Sequence, residues 1–263
     1  MKKIIAALLL VVLAGYGVNA QRKVQPTTTT RAAARSSVSK IKDESIDYSS
    51  VLTFGATTNT SAGLLGGFVV RKANRLENTL FGKTQFRYLA LEIVNVRHPK
   101  EVPTPAGTGE RFTPGKQNYL FAVRPQYGRE IVFSSRNGDE GIAINGILAA
   151  GLSLGIVKPY YVRYQVRPGI IKTEPYNPTT QSLESILGKG GFLQGLDKSQ
   201  ILPGINFKAA LSFELSAFRS NLTGIEVGFL AEIFSSKAVI MPLADNKSTF
   251  TSAYVTVYFG SKK

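Results

Sequence analysis

The stretch 204–218 reads GINFKAALSFELSAF. Ile205, Phe207, Ala209, Leu211, Phe213, Leu215 and Ala217 occupy every second position. Asn206, Lys208, Ala210, Ser212, Glu214 and Ser216 fall between them. A period of two is a β-strand with one apolar and one polar face. What the apolar face touches, a protein core or lipid, decides where such a chain can live.

The pattern recurs. Together with 204–218, strands are predicted at about 47–59, 62–73, 84–98, 117–135, 141–166, 222–236 and 249–261. In the fourth, Tyr119, Phe121, Val123, Tyr127, Ile131 and Phe133 oppose Arg124, Gln126 and Glu130. In the fifth, Ile142, Ile144, Leu148, Ala150, Leu152, Leu154 and Ile156 oppose Asn145, Ser153 and Gly155. In the seventh, Ile225, Val227, Phe229, Ala231 and Ile233 oppose Gly224, Glu226, Gly228 and Glu232. The third carries Glu92 among apolar neighbours, and the second is glycine-rich. Several segments exceed the roughly five or six residues of an ordinary strand. They reach the about nine to eleven that a tilted transmembrane strand requires. No long helical period appears; a short helix is predicted within 180–191, TQSLESILGKGG.

The connections sharpen the choice between core and lipid. Links after the second, fourth and sixth strands are short, at about 74–83, 136–140 and 219–221. Links after the third, fifth and seventh are long, at about 99–116, 167–203 and 237–248. The link at 60–61 is short and fits only loosely. Short turns on one side, longer loops on the other and an even strand number are the pattern of an outer-membrane barrel. The expected fold is therefore all-β: a closed antiparallel up-and-down transmembrane barrel of about eight strands. A secreted β-sandwich in the periplasm is the alternative, with Ile205, Phe207, Leu211 and Phe213 buried against a second sheet. The closing strand, AYVTVYFG, is expected to place Tyr254, Tyr258 and Phe259 at a membrane boundary.

The first twenty residues read as an export signal: Lys2 and Lys3, then the apolar run IIAALLLVVLAG, then small residues ending at Ala20. Residues 21–46, rich in Thr, Ser, Ala and Arg, read as a flexible basic tail. Residues 47–263 would form the barrel. The signal peptide, the strand set over 47–261 and stretches such as GLSLGIVKPYYV, GIEVGFLAEIF and AYVTVYFG resemble the small outer-membrane β-barrel proteins of Bacteroidota-type bacteria. That resemblance implies the outer membrane as location more than it implies a reaction.

The chain has 263 residues and a formal charge of +15; loss of Lys2 and Lys3 with the signal leaves +13. Such a charge favours anionic partners. Outer-membrane lipid and lipopolysaccharide fit it, as does another envelope protein. Nucleic acid does not, because no basic patch is interleaved with stacking aromatics. Arg111, Lys116, Lys172, Lys189 and Lys198, all in long links, offer contacts to an anionic surface. The polar-face charges Glu92, Arg124, Glu130, Arg163, Lys208, Glu214, Glu226 and Glu232 would pair inside a narrow barrel.

Little points to catalysis. The chain has no cysteine and one histidine, so no thiolate or multi-histidine metal site can form, and no cofactor is expected. His98 lies in VRHPKE at the mouth of a long link. A lipid-modifying enzyme would need Ser61, Ser134 or Glu101 beside it, and no GxSxG elbow exists. Glu226 and Glu232 are six residues apart on one strand, roughly 20 Å, which is too far for a glycosidase pair. GKGGFLQG, at 188–195, lacks the order of a phosphate-binding loop. The expected function is non-enzymatic: a structural, binding or assembly component with long external loops. A small pore or a ligand-binding barrel is the alternative.

Overall fold

The computed structural model describes residues 48–135, 142–215 and 221–263. The sequence-predicted signal, the basic tail, the link 136–140 and positions 216–218 of the opening stretch lie outside these residues.

Eight long strands alternate up and down and close on themselves. They are β1 (Ser50–Asn59), β2 (Gly63–Arg75), β3 (Gln85–Val96), β6 (Asn118–Ser134), β7 (Ala143–Pro159), β11 (Gln200–Glu214), β12 (Asn221–Phe234) and β13 (Thr249–Lys262). Each pairs antiparallel with its neighbours, and β1 pairs with β13 to close the ring. Closure removes every free edge from the wall. The remaining elements decorate the long links. A two-residue ladder joins β4 (Thr104–Pro105) to β5 (Arg111–Phe112). A three-stranded sheet in the order β10-β8-β9 is built from β8 (Tyr161–Arg167), β9 (Ile170–Pro175) and β10 (Ile186–Lys189).

The register fixes the shape. Ser50 pairs with Asn74, Asn74 with Arg87, Arg87 with Arg129, Arg129 with Leu148, Leu148 with Ala209, Ala209 with Phe229 and Phe229 with Ala253. The carbonyl of Ala253 then accepts a hydrogen bond from the Thr60 amide, so the circuit returns to β1 ten residues from its start. A shear of ten over eight strands tilts the strands by about 35–45°, and a barrel of this strand number is just wide enough for side chains to fill.

Both chain ends of the wall, Ser50 and Lys262, lie at the end that carries the links 76–84, 135–142 and 215–220. The other end carries 60–62, 97–117, 160–199 and 235–248. The division into a short-link end and a long-link end is the expected one.

Three local expectations are corrected. The fifth strand is not continuous over 141–166: it ends at Pro159, whose ring has no N–H for the ladder, and Tyr160 turns the chain into β8. Within 180–191 only the 3-10 turn Leu183–Ser185 is helical, and Ile186–Lys189 is strand β10. Gly188, Gly190 and Gly191 oppose a helix there. Tyr254 and Tyr258 point into the lumen and are buried, while Phe259 points out. Their positions differ by odd steps from Phe259, so one face cannot hold all three.

Candidate functional site

The wall is inverted relative to a water-soluble domain. Ile205, Phe207 and Leu211 face outward, as do Leu148, Leu152, Val227 and Ile233. Phe229 is 73% exposed, Leu152 62% and Phe68 61%. Glu92, Glu130, Glu214, Glu226, Glu232, Arg71, Arg124 and Lys208 are all buried inside.

These inner groups form one connected column. At its long-link end Arg124 donates Nε to Glu232 Oε1 at 2.8 Å and Nη2 to Oε2 at 2.7 Å, a bidentate fork. Ser153 Oγ donates to Glu232 Oε1 at 2.5 Å. Arg124 Nη1 reaches Glu92 Oε2 at 3.2 Å, and Lys208 Nζ lies 3.5 Å from Glu92 Oε1. Lys208 also lies 3.2 Å from Glu226 Oε1, to which the Tyr254 hydroxyl donates at 2.6 Å. Arg71 donates to Glu226 Oε2 at 2.9 Å and to Thr53 Oγ1 at 2.9 Å. Toward the chain termini Asn145 Nδ2 bridges Glu130 and Glu214, and Lys262 Nζ donates to Glu214 at 2.6 Å.

The column is local sequence put to use by register. Strand period two sends alternate residues of β2, β3, β6, β11 and β12 inward, and acids and bases from different strands meet across the barrel. Small residues leave the room. A Cβ at Gly224 would collide with the Tyr258 hydroxyl and the Phe213 carbonyl, so the glycine admits the Tyr258 ring. That hydroxyl lies 2.7 Å from Ser212 Oγ, and the ring supports the Arg71 guanidinium at 4.2 Å.

Of the eight charges assigned to the lumen from sequence, Glu92, Arg124, Glu130, Lys208, Glu214, Glu226 and Glu232 are there. Arg163 is not. It lies on β8, beyond the wall, where its Nη2 pairs with Glu110 Oε1 at 2.6 Å and its side chain is 40% exposed. The error follows from treating 141–166 as one strand. Arg71 was missed. Arg71 and Lys72 are adjacent charges with apolar neighbours on both faces, Val69 and Ala73 inside and Phe68 and Val70 outside, so neither charge nor the local pattern says which points inward.

At the long-link end the links form a joined superstructure. Phe112, Tyr160, Val162, Tyr176 and Ile186 make a small core. Thr108 Oγ1 donates to the Leu187 carbonyl, a second tie between the links besides Arg163–Glu110. Arg111, Lys172, Lys189 and Lys198 are exposed there. Lys116 is not available to an outside partner: it is buried, ion-paired to Glu101 at 2.5 Å and set 4.2 Å from the Tyr119 ring centroid. Burial pulls its ammonium below the ordinary lysine value, and Glu101 opposes that pull.

A cleft of about 520 Å3 at this rim is lined by Ser61, Arg97, His98, Lys100, Asp245 and Lys247, among others. It brings His98, a serine and an acid together, as a rim enzyme would need. The imidazole is occupied, however. Nδ1 accepts from the Lys100 amide at 3.2 Å, which leaves the proton on Nε2, 3.2 Å from the Asp245 backbone carbonyl. His98 thus latches one link to another. No group of three or more His, Cys, Asp or Glu suited to a metal occurs among the described residues.

No protein-family model and no curated protein matches the chain. Among solved structures it is similar to Ail, the attachment invasion locus protein of Yersinia pestis. The identity is 9% and the TM-score 0.37, over 82% of this chain and 99% of that one. Ail in complex with the heparin analogue sucrose octasulfate gives 8% and 0.36 over the same shares. Neisserial surface protein A gives 10% and 0.35, over 82% of this chain and 97% of that one. The architecture described above rests on the strand pairing of this chain itself.

Proposed function

We propose that this chain is an integral outer-membrane protein without enzymatic activity, a rigid barrel that carries its long links to an external partner. The observation that supports this reading best is the inversion of the wall. A belt of exposed Phe, Leu, Ile and Val surrounds an interior of paired charges. In water such a belt would far exceed the apolar patch of an ordinary monomer; in lipid it is what the solvent requires. Residues 1–20 would direct export, and 21–46 would remain on the periplasmic side.

The lumen column argues against a water-filled pore, because ion pairs and their hydrogen-bonded neighbours span the barrel from Glu232 to Lys262. The engaged nitrogens of His98 argue against a rim hydrolase. What remains for function is the superstructure with Arg111, Lys172, Lys189 and Lys198 exposed, suited to anionic groups such as lipopolysaccharide phosphates or an acidic face of an envelope protein.

The test is fractionation of cells expressing the full chain, followed by gel electrophoresis in SDS with and without boiling. The reading requires a band in the outer membrane whose mobility changes on boiling. A soluble protein with one mobility would overturn it.

A further inference from the structure

The outer wall is not uniformly apolar. Counted with the shear of ten, a level around the barrel shifts by a little over one residue per strand from the direct pairings. On that count Lys72 on β2, Arg87 on β3 and Arg129 on β6 stand at about one height, close to Leu52, the direct partner of Lys72, and Phe259 on the adjoining strands β1 and β13. The adjoining sector β1–β13 at this height is apolar and aromatic; the sector β2–β3–β6 is basic. It lies toward the short-link end.

Within that sector Arg87 and Arg129 are direct cross-strand partners on the same face. Like charges so placed repel. Arg129 Nη1 is nevertheless buried and makes no hydrogen bond among the described residues, a state that calls for an explanation. The two arginines line a hollow of about 400 Å3, with Arg75, Gln85, Asn78 and the single acid Glu77 in its wall. Directly along the same strands runs a second concavity, of about 520 Å3, whose walls include Val70, Leu89, Leu91, Tyr127 and Leu152. A basic hollow and an apolar groove are thus continuous in direction on one outer face.

We propose that this pair of concavities binds an anionic phospholipid of the inner leaflet, the phosphate between Arg87 and Arg129 and an acyl chain along Leu89, Leu91 and Tyr127. The proposal rests on the membrane reading above. A free phosphate would satisfy the arginines and leave the apolar groove unexplained; a lipid accounts for both. Arginine suits the task because its planar fork can hold two phosphate oxygens. Near the interface a basic side chain on the lipid face is tolerated at little cost.

The experiment uses the full chain, reconstituted into bilayers and released into detergent for native mass spectrometry. The probes are phosphatidylglycerol, phosphatidylethanolamine and inorganic phosphate. Phosphatidylglycerol should be retained in preference to phosphatidylethanolamine. In the double variant Arg87→Gln/Arg129→Gln its retention should fall on the order of tenfold, as expected for two basic contacts at a lipid surface. The charge-matched pair Arg167→Gln/Lys237→Gln, both exposed at the other end and given no binding role, should leave retention unchanged. Equal retention of both lipids, or an unaffected double variant, would overturn the site; complete displacement by inorganic phosphate would reassign it to a free anion. Should the double variant fail to fold, phosphatidylglycerol bearing a photoreactive acyl chain decides on the unaltered protein: adducts confined to β2, β3, β6 and the adjoining stretch of β7 support the site, and adducts spread around the wall refute it. A chain that never enters the bilayer would sink the membrane reading itself, whereas one that enters and selects no lipid would sink only this inference.

Discussion

Two arginine–glutamate pairs in this molecule have nearly the same closest approach and different surroundings. Arg124–Glu232 closes at 2.7 Å inside the barrel, with both side chains almost wholly buried. Arg163–Glu110 closes at 2.6 Å on the superstructure, with both half exposed. Distance does not separate them; solvent does. If Glu110 is lost, water replaces it around Arg163. If Glu232 is lost, Arg124 keeps its charge in a place where little can replace the missing partner. The lumen pair also ties β6 to β12, strands that are not neighbours in the wall. It therefore acts across the barrel, while the outer pair fastens one link to another.

The sharpest way to break the comparison is Glu226→Ala. Glu226 receives Arg71, Lys208 and the Tyr254 hydroxyl. Its removal leaves two buried cations short of a partner and is expected to destabilise the barrel by about 3–5 kcal/mol. Urea unfolding in detergent, followed by loss of the compact band on unboiled gels, measures it. An unfolding midpoint equal to that of the parent would mean that the column does not hold the barrel.

Next in size is Phe229→Lys on the outer face. Phe229 is the middle of the five outward apolar residues Ile225, Val227, Phe229, Ala231 and Ile233 of β12. A cation at the centre of a lipid-facing strand is expected to cost about 2–4 kcal/mol. On a water-facing surface the same change would be close to neutral, so refolding yield into vesicles across a urea series separates the two solvents.

A third test asks whether the lumen needs charge or only filling. Arg124→Met alone should cost about 3–5 kcal/mol, because it strands Glu232 and weakens Glu92. Arg124→Met combined with Glu232→Leu should cost much less, within about 1–2 kcal/mol of the parent, since well-packed apolar groups often replace a buried pair without loss. Equal losses in the single and double variants would show that the fork has a structural role beyond mutual neutralisation.

Much of this was legible in the sequence. Period two in 204–218, 222–236 and 117–135 put the right residues on the right faces, because a strand has only two sides. Six of the lumen charges, Lys208, Glu214, Glu226, Glu232, Arg124 and Glu130, follow from that parity alone. The failures have physical causes. Arg163 was assigned to the lumen because a run of alternating residues does not reveal where Pro159 ends the ladder. Tyr254 and Tyr258 were assigned to a membrane girdle by residue type, against a parity that already opposed them to Phe259. Lys116 was read as a surface cation because its partner Glu101, fifteen positions away, meets it only through the fold of the link. The paired concavities on β2, β3, β6 and β7 were invisible because they depend on register between strands, which no single segment encodes.

The smallest expected effect belongs to the outer pair. Arg163→Gln should change stability by no more than about 1 kcal/mol, the range of exposed ion pairs. The change should shrink further in concentrated salt, which screens exposed charges over a few ångströms and reaches buried ones far less. Unfolding curves for Arg163→Gln and Arg124→Met, each at low and high salt, therefore carry the comparison in its most direct form. The first difference from the parent should fade with salt and the second should persist. If both fade alike, the lumen is open to ions and the column is a solvated lining; if neither fades, the superstructure shields Arg163–Glu110 as the wall shields Arg124–Glu232.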